Sequence, residues 1–191
     1  DIDFRNLIDD ITNVHRIDIL IYNKIYCIDC VMDISALGNV HTLILDKSKI
    51  TDVSTFGNVH TLHLRFLDVI DVSALGNVHT LNLSGCRLIR DVSALGNVHF
   101  LTLSLCNSIT DVSALGNVQN LSIYHCHNLT DVSALGNIHR LSLWGCDNIT
   151  DVSVLRNVHI LYLYALNITD VSALGNVHTL TIIHCDGITD V

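Results

Sequence analysis

Histidine is the residue whose type and spacing in this chain most directly point to chemistry. Eight of the 12 histidines follow an Asn-Val or Asn-Ile pair, and Gln119 takes the same place once. The eight are His15, His41, His60, His79, His99, His139, His159 and His178. Stacked imidazoles could hold a metal or act as a pH switch, since they repel each other when protonated. The alternative is a partly exposed edge position with hydrogen bonds along the stack. We expect some loss of stability below about pH 6.

Cysteine shows a similar regularity. Five of the seven cysteines share one position of a repeated string: Cys86, Cys106, Cys126, Cys146 and Cys185. Cys27 and Cys30 form a lone C-x-x-C, which could be half a zinc site, a redox pair, or two ordinary cysteines of a terminal cap. An odd number of cysteines at one repeated position does not fit the disulfide framework of a small secreted domain. We therefore expect buried thiols, no metal site and no cofactor, in a reducing compartment such as the cytoplasm.

The sequence offers little support for catalysis. It contains no G-x-S-x-G, G-x-x-x-x-G-K-[ST], H-E-x-x-H or paired C-x-x-C. The triplet His125-Cys126-His127 could pair a nucleophile with a base, but Cys126 belongs to the repeated cysteines and is expected to point inward. The sequence therefore predicts a protein that is not an enzyme.

All of these residues are positioned by an internal repeat. Eight copies of 20 or 19 residues run from Asp33 to Thr189, and a ninth begins at Asp190. In each copy a Leu-x-Leu alternation predicts a strand. Apolar residues three apart, such as Ile109, Val112 and Leu115, predict a return of 3-10 geometry. A single copy cannot bury its own apolar face, so the copies must stack. We assign residues 33–191 to the array and residues 1–32 to an N-terminal cap with a degenerate first strand at 13–19.

The string L-x-x-L-x-L-x-x-C/N resembles the signature of leucine-rich repeats. "LSGCRLIRD" and "LSLCNSITD" resemble the cysteine-containing repeats of F-box proteins, and "ITDVSALGNV" is similar to the return segments of bacterial internalins. Near-identical arrays of this kind also resemble those encoded by giant DNA viruses of amoebae. The resemblance implies an α/β-type solenoid with a parallel β-sheet on its concave face and short 3-10 or irregular returns on its convex face. It also implies a viral protein, which would be located in the host cytoplasm.

The charge of the chain excludes some functions. The net charge is −9, and all 19 acidic residues are aspartates. Nine of them begin the repeats, where a carboxylate can accept backbone N–H groups as at a helix N-cap. An acidic chain with scattered basic residues does not fit nucleic-acid binding. Because no apolar run of 18 residues exists, we expect no membrane span.

Candidate site residues lie at strand positions that alternate with the core leucines and therefore face outward. Tyr124, Trp144 and Tyr164 occupy one such position in three successive copies, with Arg140 and Tyr162 beside them and Phe100 in the copy before that of Tyr124. Aromatic residues and arginine dominate interface hot spots. The sequence therefore predicts a protein-binding site on the concave sheet at these six residues. The alternative is that the rings pack only on one another.

Two other functions remain open. The F-box-like repeats favour the substrate-recognition part of a ubiquitin ligase. The last strand, with no C-terminal cap after it, favours a self-associating structural array or a homo-oligomer formed through that edge.

Overall fold

The computed structural model describes residues 18–22 and 34–189. Apart from residues 18–22, the N-terminal cap lies outside the described residues, as do His15 and the Cys27/Cys30 pair, so the predictions made for them stay predictions.

Within these residues, parallel strands form one sheet in sequence order. The strands are β1 (Asp18–Tyr22), β2 (Thr42–Asp46), β3 (Thr61–Arg65), β4 (Thr80–Ser84), β5 (Phe100–Ser104), β6 (Asn120–Tyr124), β7 (Arg140–Trp144), β8 (Ile160–Tyr164) and β9 (Thr179–Ile183). Pairing runs without offset, so Leu121 of β6 pairs with Leu101 on one side and Leu141 on the other. Parallel neighbours need a crossover connection, and the rest of each repeat supplies it.

The first strand lies two residues later than its predicted place. The echo of the repeat in residues 13–19 aligns Ile17 with Leu43, whereas Ile19 is the residue that pairs with Leu43. Isoleucine stands at positions 17, 19 and 21. A shift by two residues keeps the same residues on the same face of a strand, so the alternating pattern fits both registers.

A 3-10 helix precedes each of strands β2–β9. The helices are Ile34–Asn39, Ser54–Phe56, Ser73–Asn77, Ser93–Asn97, Ser113–Asn117, Ser133–Leu135, Ser153–Asn157 and Ser172–Asn176. The N–H of Leu95 donates to the carbonyl of Val92 at 2.9 Å, and the N–H of Val98 to that of Leu95 at 3.1 Å. These three-residue steps confirm the predicted geometry of the returns. None of the helices in the described residues is long and apolar enough to cross a bilayer.

The core consists of apolar columns that run through the stack of coils. In one coil, Leu101, Leu103 and Cys106 each expose 1% or less of their surface. No polar or charged side chain is buried among the described residues. Truncating one of these leucines to alanine would cost about 2–5 kcal/mol, because each contacts the coils on both sides.

The repeated aspartates accept backbone hydrogen bonds at the start of the returns. Oδ1 of Asp71 accepts the N–H of Ser73 at 2.8 Å, and Oδ1 of Asp111 accepts that of Ser113 at 2.8 Å. Backbone and then hydroxyl hydrogen bonds from the serines lower the pKa of both carboxyls, since they favour the charged form. Seven of the repeated aspartates thus accept a backbone N–H at the start of a return, as the sequence predicts.

The five repeated cysteines are buried free thiols, exposed by 8% or less. The single S–H of Cys106 has two carbonyl acceptors within reach, that of Leu83 in the preceding strand at 2.9 Å from Sγ and that of Ser104 at 3.4 Å. Burial raises the pKa of Cys106 and Cys126 to about 12. The thiols therefore fill the core and meet backbone carbonyls, as predicted for a structural role.

The residue after each of strands β2–β9 has a left-handed backbone conformation, which the sequence does not predict. These residues, with φ between 50° and 72°, are Lys47, Phe66, Gly85, Leu105, His125, Gly145, Ala165 and His184. The N–H of His125 donates to the carbonyl of Trp144 at 2.8 Å, and the N–H of Leu105 to that of Tyr124 at 2.9 Å. The sheet ladder thus extends one residue further while the chain turns away from the strand.

The glycines in the returns allow one return to pack closely against the next. A Cβ atom added to Gly96 would lie 2.5 Å from the carbonyl oxygen of Ala114 in the next return, which is too close for a real contact. The left-handed glycines are Gly85 and Gly145, both outside the returns. Arg156, which stands at the glycine position of the return Ser153–Asn157, also has no positive φ, so this position does not require glycine's conformational freedom.

Candidate functional site

Three aromatic side chains stand in one column on the outward face of the sheet. Tyr124, Trp144 and Tyr164 end strands β6, β7 and β8 and are partners in register. The ring centroids of Tyr124 and Trp144 lie 5.9 Å apart in edge-to-face geometry, and those of Trp144 and Tyr164 lie 4.5 Å apart. Trp144 is nevertheless 43% exposed. We call these three residues the aromatic column.

Two imidazoles border the aromatic column where the strands turn away. The ring of His125 lies 5.9 Å from that of Trp144, and the ring of His184 lies 5.2 Å from that of Tyr164. Both histidines have the left-handed conformation that follows each strand. Their part in the site is not predicted from the sequence, because it depends on that unpredicted turn. One feature of the sequence does indicate their position: each histidine directly follows an outward-facing strand residue.

Arg140 and Tyr162 lie on the same face, nearer the starts of strands β7 and β8. The guanidinium carbon of Arg140 lies 6.0 Å from the centroid of the Tyr162 ring, at the outer limit of a cation–π contact. Arg140 is exposed. Within the described residues no carboxylate forms an ion pair with it.

Phe100 lies apart from the other predicted site residues. Its ring contacts His99 at 4.6 Å and His79 at 5.5 Å, and it is 42% exposed. It occupies the first position of β5, next to the repeated histidines, whereas the aromatic column occupies the last position of its strands. The aromatic column thus lies at the ends of its strands, and Arg140 and Tyr162 lie together nearer the strand starts. Phe100 lies with the repeated histidines, away from both groups.

The outward face of strands β4–β9 carries no carboxylate. Each of these six strands presents three outward residues, and Arg140 is the formally charged one among them. Between β4 and β9 the aspartates instead occupy the returns and turns. Asp147, in the turn after β7, has its Oδ2 atom 3.1 Å from Nδ1 of His127. In a chain of net charge −9, this face is free of negative side chains.

The repeated histidines form two stacks along the edge of the sheet where the strands begin. Centroid distances are 4.7, 4.5 and 4.8 Å along His41, His60, His79 and His99, and 4.9 and 4.5 Å along His139, His159 and His178. Gln119 separates the two stacks. Partial desolvation, and then the charge of the stacked neighbours, lowers the pKa of His79 and His159, although His79 is only half-buried and His159 is exposed.

The groups that could take part in chemistry are arranged for packing. Cys126 is 1% exposed, and burial raises its pKa to about 12, so it does not supply a thiolate at neutral pH. In the part of the chain that the structure describes, no three His, Cys, Asp or Glu side chains are grouped to hold a metal ion. A cleft of about 520 Å³ beside the returns is lined by Asp52, Asp68 and Asp71 together with serine and threonine.

No protein-family model and no curated protein matches the chain. Solved structures do match. An internalin (inlF) from Listeria monocytogenes is 24% identical, with a TM-score of 0.61 over 83% of this chain and 55% of its own. Internalin C2 from the same species is 29% identical, with a TM-score of 0.61 over 78% of this chain and 74% of its own. The functional domain of InlJ, described as including a cysteine ladder, is 20% identical, with a TM-score of 0.52 over 94% of this chain and 46% of its own.

These likenesses agree with the in-register parallel strands, the 3-10 returns and the buried cysteines. This chain spans about half the length of the inlF and InlJ structures. The likeness to F-box repeats and the viral source stay predictions, since the structures named above are bacterial. The chain has the leucine-rich repeat fold, a solenoid of short coils similar to those of the internalins.

Proposed function

We propose that the chain is a non-enzymatic module that binds a protein partner on the concave sheet face, around the aromatic column. The observation that carries this proposal is an exposed row of rings, with Trp144 at its centre, on the part of the sheet (β4–β9) whose outward residues include no carboxylate. The internalin-like fold is consistent with the proposal but does not by itself identify a function.

The composition of the face supports a protein partner. Tyrosine and tryptophan supply large contact areas with few rotatable bonds, while serine adds adaptable hydrogen bonding. Ser122 and Ser142, both half-buried, lie on β6 and β7 between the aromatic column and the starts of the strands. A residue such as Trp144, held by rings on both sides, loses little conformational freedom on binding.

Truncation of Trp144 tests the proposal. Wild type and Trp144→Ala are used to capture partners from cells of the source organism, and the dissociation constant of the captured protein is measured by titration. We expect Trp144→Ala to cost about 2 kcal/mol, or about a 30-fold weaker complex. Val154→Ala is the matched control, because Val154 is 37% exposed but lies on a return. Equal affinity of Trp144→Ala and wild type would remove the column from the site.

Self-association through β9 is a second proposal. Leu180 is in register with the core residue Leu161, yet it is 38% exposed, and Ile183 at the end of the strand is 43% exposed. Light scattering at two protein concentrations tests self-association. A molar mass that rises from the monomer value to twice that value at the higher concentration supports it. The role in a ubiquitin ligase and the cytoplasmic location stay predictions. The five free thiols fit a reducing compartment.

A further inference from the structure

We propose that the partner segment is an acidic extended peptide. One of its carboxylates pairs with Arg140, while an apolar side chain of the same segment packs on the aromatic column. This inference rests on the proposed function of the same face and adds the chemistry of the partner.

The distribution of charge on the outward face of the sheet favours an acidic partner. Among the outward residues of β4–β9, Arg140 has a formal charge and none of the others does. The chain contains 19 aspartates, but within the described residues none forms an ion pair with Arg140. A guanidinium binds a carboxylate through two parallel N–H···O bonds. Arg140 is exposed and therefore hydrated in the free protein. Once a partner covers it, the carboxylate that pairs with it can come from the partner.

The cost of leaving Arg140 unpaired gives selectivity. A partner that covers the aromatic column and reaches the start of β7 removes water from the guanidinium. A charge buried without a partner is costly, so a segment without a carboxylate at that place is rejected. The Tyr162 ring, 6.0 Å from the guanidinium carbon, offers a second contact that favours the side-chain position needed for pairing.

The geometry sets the spacing in the peptide. Arg140 and Trp144 begin and end β7, so their Cα atoms are about 13 Å apart at about 3.3 Å per residue. An extended peptide laid along the strand has a similar rise. Its acidic residue and its apolar residue are then about four positions apart. Between them the peptide passes over Ser142, whose small side chain leaves room for the backbone.

The net charge of −9 does not prevent such a complex. The capping aspartates lie on the returns, and a layer of core side chains is about 10 Å thick. At physiological salt, interactions between charges are screened over about 8 Å. The direct contact with Arg140 therefore dominates over repulsion from the return aspartates. Asp147, in the turn after β7, lies 3.1 Å from His127 and at the opposite end of the strand from Arg140.

A random peptide display library, selected on purified protein, tests the inference. We expect the wild-type pool to be enriched in Asp and Glu about four positions from an aromatic or aliphatic residue. The Arg140→Gln pool should lose this enrichment, and the Arg140→Glu pool should be enriched in Lys and Arg. A wild-type pool with the acidic content of the input, or one rich in Lys and Arg, overturns the inference. Failure of the wild type to select any peptide does so as well.

Two further measurements separate this inference from the proposed function. If wild type selects peptides and Trp144→Ala selects the same ones equally well, the proposed function fails. If Trp144→Ala loses them but acidic residues are not enriched, only the present inference fails. One selected peptide is then made with its acidic residue changed to the amide. We expect its binding to wild type to weaken about tenfold and its binding to Arg140→Gln to stay the same.

Discussion

At the scale of single residues, the ends of the strands hold the least expected feature. Lys47, Phe66, Leu105, His125, Ala165 and His184 all have φ between 50° and 56°. A residue with a Cβ atom loses roughly 1–2 kcal/mol in this conformation. The positions are retained because the N–H continues the ladder, as in the bond from Ala165 to the carbonyl of Ile183 at 2.9 Å. Glycine takes the position only twice, so most coils carry this strain.

Replacing Ala165 with glycine should therefore stabilise the protein, by up to about 1 kcal/mol. The glycine relieves the left-handed strain and keeps the N–H bond. Urea unfolding measures the change. The control is Ala114→Gly, in the return Ser113–Asn117, where the same substitution should destabilise. If both variants lose stability to the same extent, the strain at position 165 is not real.

At the scale of elements, the two histidine stacks make the edge of the sheet sensitive to acid. The pKa of His79 and that of His159 are lowered by partial desolvation first and by the charge of the stacked neighbours second. No carboxylate contributes to either shift. The unfolded chain thus binds protons at a higher pH than the folded one. The contribution of these histidines to the free energy of unfolding is complete above pH 6.5, the ordinary pKa of histidine. It is lost as the pH falls below that value.

The melting temperature should accordingly fall between pH 7.5 and pH 5, before the capping aspartates begin to protonate below their ordinary value of 3.8. The double variant His79→Gln/His159→Gln should lose part of this pH dependence, since glutamine already occupies the same position at Gln119. His63 contributes with the same sign, because burial and then Arg65 lower its pKa. A melting temperature that does not change over this range would contradict the account.

At the scale of the whole molecule, the repeat predicts most of the architecture. A constant period puts Leu101, Leu121 and Leu141 in one column, and residues spaced by three identify the 3-10 returns. Features that depend on turn conformation are harder to predict from sequence. Leu105 and His125 are not typical turn residues, so the sequence predicts neither the left-handed turn nor the position of His125 beside the aromatic column. The contact of Phe100 with His99 depends on side-chain direction, which spacing alone does not define.

The central claim is that a partner covers the aromatic column, and the tryptophan at its centre reports on this directly. The chain has one tryptophan, Trp144, which is 43% exposed. Its fluorescence and its quenching by acrylamide are measured with and without a peptide selected on the wild type, or with the captured partner. We predict a shift of the emission to shorter wavelength and weaker quenching in the complex, because the ring is removed from water. Unchanged emission and quenching at saturating partner would contradict the claim.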